Sequence, residues 1–137
     1  MYTEIELTTS PGENLINITE KIRQVVRDSN IQEGLCVLFV PHTTAGITIN
    51  SAMDMATLKD IVSEMHRLIP TRVDFHHNYD TPADAAGHIK STLVGNNISL
   101  LVVGGELLLG NSQSVLFFEF DGPRSRQVFV SVLPDSR

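Results

Sequence analysis

The spacing of hydrophobic residues in the first part of the chain predicts strands on either side of a helix. The segment YTEIELTT alternates apolar and polar positions, as in a strand with one buried face. Apolar residues then recur at helical spacing from Ile18 to Val26, which predicts a helix with one face on the core. The continuous apolar run LCVLFV predicts a strand buried on both faces. The next segment, AGITINS, is expected to continue that strand or to lie beside it.

A second helix is predicted over residues 53–68, and Pro70 ends it. Its apolar residues fall on one stripe, which we expect to pack in the core: Met55, Leu58, Ile61, Val62, Met65 and Leu68. Two of the four methionines lie on this stripe, so packing explains them better than a soft-metal site does.

A third helix is predicted from the capping signals around Thr81. Thr81 suits the N-cap, Pro82 the first helical position and Asp84 the third, as in a capping box. The helix is expected to run to about Val94, before Gly95. The three small residues after Asp84 keep the helix slim, so another element is expected to approach it closely.

The last third of the chain is predicted to be mainly β-structure. Four segments rich in strand-forming residues are separated by turns that contain glycine: ISLLVVGG, ELLLG, SVLFFEFDG and QVFVSVLP. The whole pattern predicts an α+β fold in a single domain, residues 1–137, with two or three helices on a sheet or sandwich of seven or eight strands.

Composition excludes several classes of protein. With 42% hydrophobic and 19% charged residues, the 137-residue chain is an ordinary globular protein. Its formal net charge of −6 and its lack of a Lys/Arg run argue against nucleic-acid binding. We expect no membrane partner and a cytoplasmic location, because the chain has neither a membrane-length apolar run nor signal-peptide features. Cys36, the single cysteine, is expected to be a buried core residue.

Histidines gather before and within the third predicted helix. His76 and His77 precede it in a loop, and Asp84 and His88 are four residues apart, so they share one helical face. His42 follows the run LCVLFV and a proline, at a strand end where functional side chains are often presented. Three imidazoles with one open position are a usual ligand set of catalytic zinc.

The residues alone leave the metal site open. Their spacing matches no recognised zinc motif. The loop histidines fit equally well as solvated residues of a polar surface. His42 fits equally well as a residue that closes a strand by bonding its ring to the backbone.

Two arginines follow a tight turn that we expect at Asp121, Gly122 and Pro123. Residues two apart in a strand point to the same face, so Arg124 and Arg126 are candidates for an anion clamp. In the alternative interpretation, the two arginines neutralise neighbouring acidic residues.

Three ordered segments together resemble one known family: HTTAGITIN, HHNYDTPADAAGHIKSTLVG and GGELLLGNSQSVLFFEFDGPRSR. They resemble the YjbQ family, whose members are also called secondary thiamine-phosphate synthases. The resemblance extends from about Ile5 to Leu133. It implies a compact α+β domain with a β-sandwich-like core, assembled as a homotrimer.

The resemblance also implies a metal site, usually taken as zinc, that is built from histidines. The family's motif histidines fall on His42, His77 and His88, with His76 less suited as a ligand. Asp84 falls on an acidic motif position, where it is expected to orient an imidazole or to take part in catalysis.

Other motif positions are expected to serve a phosphorylated substrate. We expect Lys90 and Arg124 to bind phosphate, and Glu119 to transfer a proton or to hold a ligand. The remaining binding candidates are polar residues of the same motifs: Thr43, Thr44 and Gln113.

The implied reaction joins hydroxymethylpyrimidine diphosphate to a thiazole phosphate, giving thiamine phosphate and pyrophosphate, and it is a weak, secondary activity in the family. The alternatives are a metal-dependent phosphatase or hydrolase, and a non-enzymatic trimer that binds a metal or an anion. Two departures bear on the choice. Ser51 stands where many members of the resembled family have Glu, so a candidate catalytic base or metal-linked hydrogen bond is missing. Ser112 stands where many have Trp, so a candidate stacking surface is missing. Both departures favour the non-enzymatic alternative.

Overall fold

The computed structural model describes residues 2–136, which form eight strands and three helices. The strands are β1 (Thr3–Thr8), β2 (Gly12–Asn17), β3 (Glu33–Phe39), β4 (Ala45–Asn50), β5 (Asn97–Val103), β6 (Glu106–Leu107), β7 (Ser114–Gly122) and β8 (Ser125–Pro134). The helices are α1 (Thr19–Asp28), α2 (Met55–Leu68) and α3 (Pro82–Val94). No helix among these residues is long and apolar enough to cross a membrane.

The strands form two antiparallel sheets. The larger sheet has the order β1-β8-β3-β5-β6 and the smaller one the order β2-β7-β4. Strands β7 and β8 follow each other in the chain but lie in different sheets, so the turn between Gly122 and Ser125 carries the chain from one sheet to the other. The predicted α+β fold with a β-sandwich-like core is confirmed.

The hydrophobic core lies between the two sheets and is completed by α1. Both sheets contribute fully buried side chains, such as Leu38 from β3 and Phe117 from β7, and α1 adds Ile22 and Val26. Cys36 is fully buried there, as predicted. Burial raises the pKa of its thiol to about 11, so the thiolate is not formed near neutral pH.

Helix α3 packs against β4 and β7 of the smaller sheet, and glycines make the approach close. A Cβ atom added at Gly87 would lie 3.2 Å from the side chain of Thr44. A Cβ atom added at Gly46 would lie 2.8 Å from the carbonyl oxygen of Gly95. The close approach predicted for this slim helix is therefore confirmed, and it fixes the position of every side chain that α3 presents.

Two expectations about strands are wrong. In β3, Cys36 and Leu38 are buried but Leu35 and Phe39 are each 41% exposed, because no element of residues 2–136 covers the outer face of the larger sheet. Strand β4 neither continues β3 nor pairs with it, and pairs instead with β7.

Strand β2 is missing from the sequence prediction, because the two apolar residues of GENLIN are adjacent and do not alternate.

The expected burial of the α2 stripe is also wrong. Leu58 is the one stripe residue that is buried, while Met55 and Leu68 are more than 60% exposed. The helix begins after Asp54, whose carboxylate accepts a hydrogen bond from the Ala56 N–H at 2.9 Å, and it lies against β2 rather than in the core. Helical spacing identifies the face that is suited to burial, but it does not supply a partner for that face.

Candidate functional site

Helix α3 begins with the cap predicted from the sequence. The hydroxyl of Thr81 accepts a hydrogen bond from the Asp84 N–H at 3.1 Å, and Pro82 occupies the first turn. This cap fixes the first turn of the helix. As a result, the carboxylate of Asp84 and the imidazole of His88, one turn later, face the same side.

Asp84 brings His77 and His88 together. Its Oδ2 atom lies 2.8 Å from Nε2 of His77 and 3.4 Å from Nε2 of His88. The two imidazole rings have their centroids 5.0 Å apart and stand nearly perpendicular, at 83°. Among residues 2–136, these are the three His, Cys, Asp or Glu side chains whose ligand atoms gather within 4.8 Å of one another, and we call them the His77–Asp84–His88 group.

The donor atoms of this group fit a divalent transition metal. Two imidazoles and one carboxylate are the protein ligands of several catalytic zinc sites, and they leave coordination positions open for water or substrate. The same set suits non-haem iron. The imidazoles are partly exposed, with side-chain exposures of 46% for His77 and 40% for His88, so an ion and a ligand have access from solvent.

Two of the predicted histidines lie outside the group. His76 is exposed on the loop before α3. His42 accepts a hydrogen bond through Nε2 from the backbone N–H of Gln127, at 2.9 Å. The alternative interpretation of His42, a ring bonded to the backbone at a strand end, describes its contact in the structure. Burial, and after it the positive charge of Arg126, lowers the pKa of His42.

Arg124 is held by the turn that precedes β8. Its Nε donates to the carbonyl oxygen of Asp121 at 2.9 Å, and a terminal nitrogen donates to the Asp121 carboxylate at 2.8 Å. The bond with Asp121 raises the pKa of the Arg124 guanidinium, and the negative charge of Asp84 adds to that effect. Arg124 is therefore within electrostatic reach of the His77–Asp84–His88 group.

Glu119 and Arg126 form a buried ion pair. Arg126 donates to Oε1 of Glu119 at 2.8 Å and to Oε2 at 2.5 Å, and Thr9 donates its hydroxyl to Oε1 at 2.7 Å. Burial alone raises the pKa of Glu119, but the bonds from Arg126, Thr9 and a backbone N–H outweigh it and hold the pKa below its ordinary value. Each of the two arginines thus neutralises an acidic residue, as in the alternative interpretation, and the expected two-arginine clamp is not formed.

Lys90 is buried inside the protein, with 1% of its side chain exposed. Its ammonium is paired with Oε1 of Glu13 on β2, an oxygen that also lies 3.4 Å from Nδ1 of His66 on α2. Because Lys90 follows His88 by two positions, it projects from another side of α3. The Lys90–Glu13 pair fastens α3 to β2, and the structure does not bring Lys90 to the group.

A cavity of about 450 Å³ opens beside His88. Its lining consists of Gly95 and six polar residues, none of which is acidic, Lys or Arg: His42, Thr43, His88, Ser91, Thr92 and Asn96. Of the two predicted threonines, Thr43 is exposed and lines this cavity. Thr44 is buried, and its hydroxyl accepts a hydrogen bond from Arg126 at 2.8 Å.

Gln113 lies far from these residues within one chain. It is exposed just before β7, and its side-chain oxygen accepts a hydrogen bond from the Gly110 N–H at 2.8 Å. Phe120, which α3 approaches through Gly87, is seven residues farther along, or about 24 Å at the rise of an extended strand.

Three polar cavity residues were not predicted from the sequence: Ser91, Thr92 and Asn96. Ser91 and Thr92 follow His88 by three and four positions on α3, so helical spacing places them on its face. That signal was present in the sequence once His88 was a candidate.

The chain matches proteins of one family over nearly its full length. The profile described as "UPF0047 protein YjbQ-like" matches residues 3–135. A UPF0047 protein of Methanocaldococcus jannaschii is 38% identical over 135 residues, covering 98% of this chain and 96% of that protein. The UPF0047 protein YugU of Bacillus subtilis is 31% identical over 133 residues, covering 97% and 99%.

Solved structures agree with these matches. A YbjQ-like protein of Sulfolobus solfataricus has a TM-score of 0.92 and 29% identity, with 98% of this chain and 97% of that chain covered. A member of the yjbq/upf0047 family from Clostridium acetobutylicum has a TM-score of 0.90 and 37% identity, with 96% and 99% covered. The names of these four proteins state no activity, substrate or metal.

Proposed function

Because the chain belongs to the family of YjbQ-like UPF0047 proteins, we propose that it is a metal-dependent enzyme that acts on a phosphorylated small molecule. The observation that carries this proposal is the convergence of two imidazoles and a carboxylate at the start of α3. Such a donor set, partly open to solvent, is the arrangement that a catalytic metal requires.

Zinc is the proposed ion, with His77, His88 and Asp84 as its ligands. A divalent ion bound there supplies Lewis-acid polarisation of a phosphoryl oxygen or of a leaving diphosphate. The protein's own contribution is to hold the donors in place. The Thr81 cap and the close contact of Gly87 with Thr44 fix α3, and with it the positions of Asp84 and His88.

Arg124 is the proposed phosphate-binding residue. Its charge interacts electrostatically with that of Asp84. The side chain remains partly exposed, at 42%, and its contacts with Asp121 orient its planar guanidinium. Arginine pairs with phosphate in a bidentate manner and neutralises charge that develops on its oxygens. Lys90 and Glu119 are both engaged in ion pairs inside the protein, so we assign them to holding the fold.

The first reaction to test is the thiamine-phosphate synthase reaction that the resemblance to the YjbQ family implies. The ring nitrogen of the thiazole phosphate forms a bond to the methylene carbon of hydroxymethylpyrimidine diphosphate. The bond from that carbon to the diphosphate oxygen breaks, and its electron pair leaves with pyrophosphate. Arg124 stabilises this reaction by neutralising the anion that departs.

Hydrolysis of a phosphate ester is the second candidate. It is favoured by the solvent exposure of both imidazoles, which admits water as the nucleophile.

Metal content tests the site. We expect protein prepared with zinc and then freed of excess metal to carry about one zinc ion per chain by elemental mass spectrometry. His88→Ala and His77→Ala should carry little. His76→Ala is the matched control, because it removes an exposed neighbour of His77 and should retain zinc. Absence of zinc from the parent protein, or equal zinc in His88→Ala, would overturn the proposal.

Product formation distinguishes the candidate reactions in zinc-loaded protein. Release of pyrophosphate that depends on both phosphorylated substrates indicates transfer, whereas release of phosphate from either one alone indicates hydrolysis. Saturable binding without any product would leave a binding protein and contradict the proposed catalysis.

We also propose that the protein associates as a homotrimer. The outer face of the larger sheet supports association, because Leu35 lies directly between Leu101 on β5 and Leu133 on β8, and all three are 41% to 54% exposed. A patch of adjacent exposed leucines on a sheet face is typical of a contact between proteins.

A further inference from the structure

The hydrogen bond of His42 determines which of its ring nitrogens carries a proton. Nε2 faces the backbone N–H of Gln127 at 2.9 Å, and a backbone N–H can only donate. Nε2 must therefore accept, and an accepting ring nitrogen carries no hydrogen. In a neutral imidazole the single proton is then on Nδ1.

Neighbouring groups favour the neutral ring. Burial lowers the pKa of His42, and the charge of Arg126 acts in the same direction, while Glu119 acts against them. Burial is the largest of these effects, so the pKa of His42 is lowered on balance. At neutral pH, His42 is thus a neutral ring with a fixed donor at Nδ1.

This tautomer does not fit metal coordination by His42. Nε2 is occupied by the Gln127 N–H, and Nδ1 carries the proton that a metal would have to displace. Coordination through Nδ1 would move the proton to Nε2, where it would meet the N–H of Gln127, donor against donor. His42, which the sequence and the family resemblance suggested as a zinc ligand, therefore has another role.

The cavity beside His88 suggests that role. No hydrogen bond within residues 2–136 involves Nδ1 of His42, and His42 lines the cavity together with Thr43 and Asn96. Ser91 donates its hydroxyl hydrogen to the carbonyl oxygen of Ala45 at 2.7 Å, and Thr92 donates to that of His88 at 2.9 Å. Both hydroxyl oxygens keep lone pairs that accept. The cavity thus offers donors and acceptors but no formal charge.

We propose that this cavity is a subsite for the uncharged, hydrogen-bonding part of the ligand, and that Nδ1–H of His42 donates a hydrogen bond to it. This proposal rests on the proposed function in one respect, namely that the ligand's phosphate binds near Arg124 and the metal. His88 belongs both to the cavity and to the His77–Asp84–His88 group, so the two regions adjoin at this residue. A phosphate held near Arg124 and the metal would leave an attached polar heterocycle or alcohol to enter the cavity.

The tautomer is tested first, by proton–nitrogen correlation spectra of protein labelled with isotopic nitrogen in histidine. His42 is assigned from the signal that disappears in His42→Gln. We expect its proton on Nδ1, and we expect added zinc to shift the ring nitrogens of His77 and His88 but not those of His42. A proton on Nε2, or a zinc-induced shift of a His42 nitrogen as large as those of the other two, would overturn the proposal.

The subsite is tested by calorimetry with two probes, hydroxymethylpyrimidine diphosphate and inorganic pyrophosphate, on zinc-loaded protein. We expect the pyrimidine compound to bind more tightly than pyrophosphate. Equal affinities in the parent protein would overturn the subsite. His42→Gln keeps an acceptor that reaches the Gln127 N–H but lacks the Nδ1 donor. The His42→Gln substitution should weaken binding of the pyrimidine compound about tenfold, since one neutral hydrogen bond is lost. It should leave the affinity for pyrophosphate unchanged.

Two further measurements separate the causes of failure. His42→Asn places an amide donor at the position of Nδ1, and we expect it to recover part of the affinity that His42→Gln loses. The uncharged hydroxymethylpyrimidine alcohol should shift the His42 signals in metal-free protein at mildly alkaline pH. If zinc does not bind but this shift is seen, the proposed metal site fails and the subsite stands. If zinc binds and the alcohol causes no shift, the subsite fails alone.

Discussion

Both oxygens of Glu119 accept hydrogen bonds inside the protein, out of contact with solvent. Oε1 accepts from Thr9 and Arg126, and Oε2 accepts from Arg126 and from the Asp121 N–H at 3.1 Å. These bonds join β7 of the smaller sheet to β8 and the end of β1 in the larger one. Because both oxygens are fully engaged in these four bonds, neither is free to transfer a proton to a ligand. The contacts of Glu119 instead link the two sheets.

At this pair, removing one partner should be costly. We expect Arg126→Met to lower the free energy of unfolding by about 3–5 kcal/mol, because it leaves the carboxylate of Glu119 buried and unpaired. The measurement is urea-induced unfolding at fixed protein concentration. Arg124→Met is the matched control, because it removes a partly exposed arginine two positions away and should cost at most about 1 kcal/mol. An equal decrease in the free energy of unfolding in the two variants would show that the buried pair contributes no more to stability than the exposed arginine does.

The same carboxylate should make stability depend on acid pH. Since the pKa of Glu119 in the folded protein is lowered from its ordinary value of 4.5, the pair contributes stability above pH 4.5. That contribution is lost as pH falls below 4.5 toward the folded-state pKa. We expect Glu119→Gln to melt at a lower temperature than the parent near neutral pH, with the difference shrinking in acid. Melting curves across this range check the prediction, and a difference that grows in acid would contradict it.

Single residues of the site differ in how far the sequence could predict them. Asp84 and His88 belong to one helix with a clear cap, so local rules placed them together. The approach of His77 depends on the path of a loop, and the bond between His42 and Gln127 joins residues 85 positions apart. No local pattern encodes either contact, which is why spacing alone did not separate His42 from the other histidines.

Among the elements, α3 carries the site, so its cap should matter more than its other hydroxyl contacts. We expect Thr81→Ala to lower the free energy of unfolding by about 1 kcal/mol, because the Asp84 N–H loses its partner. We also expect weaker zinc binding, since the first turn positions Asp84. The measurements are urea unfolding and zinc titration against a competing chelator.

Thr92→Ala is the control for this cap. The hydroxyl of Thr92 donates to the carbonyl oxygen of His88 on the exposed side of the same helix, and its loss should change stability by less than about 0.5 kcal/mol. If Thr81→Ala behaves like Thr92→Ala in both measurements, the cap does not support the site.

The elements themselves were predictable to the degree that their signals are local. The cap of α3, the strands β7 and β8 and the turn between them follow from residue types at fixed spacing. The errors concern partners: the α2 stripe is mostly exposed, and β4 joins β7 rather than β3. Which element covers a given face depends on chain topology, which periodicity does not contain.

At the scale of the whole molecule, the outer face of the larger sheet is unusually apolar for a surface. Leu35, Leu101 and Leu133 form one row across three strands, and Phe39 pairs with Phe129 two rows away, with ring centroids 6.3 Å apart. A sheet that faced water would alternate buried apolar and exposed polar residues. This face departs from that rule in the same strand, β3, that the sequence predicted to be buried on both sides. Association with other copies of the chain would bury this face, and it would explain why β3 is apolar on both sides although one side is exposed in a single chain.

A charge placed in the leucine row should therefore break the proposed trimer. We expect the parent protein to sediment at three times the mass of one chain and Leu101→Glu to sediment as a monomer, because a carboxylate buried in an apolar contact is costly. Leu68→Glu is the matched control: Leu68 is comparably exposed, at 61% against 54% for Leu101, but it lies on α2. Circular dichroism should show both variants folded. A monomeric parent would exclude association, whereas loss of the trimer in Leu68→Glu alone would place the contact on α2. In that case the outer face of the sheet would remain exposed in the assembly, and its leucines would need another explanation.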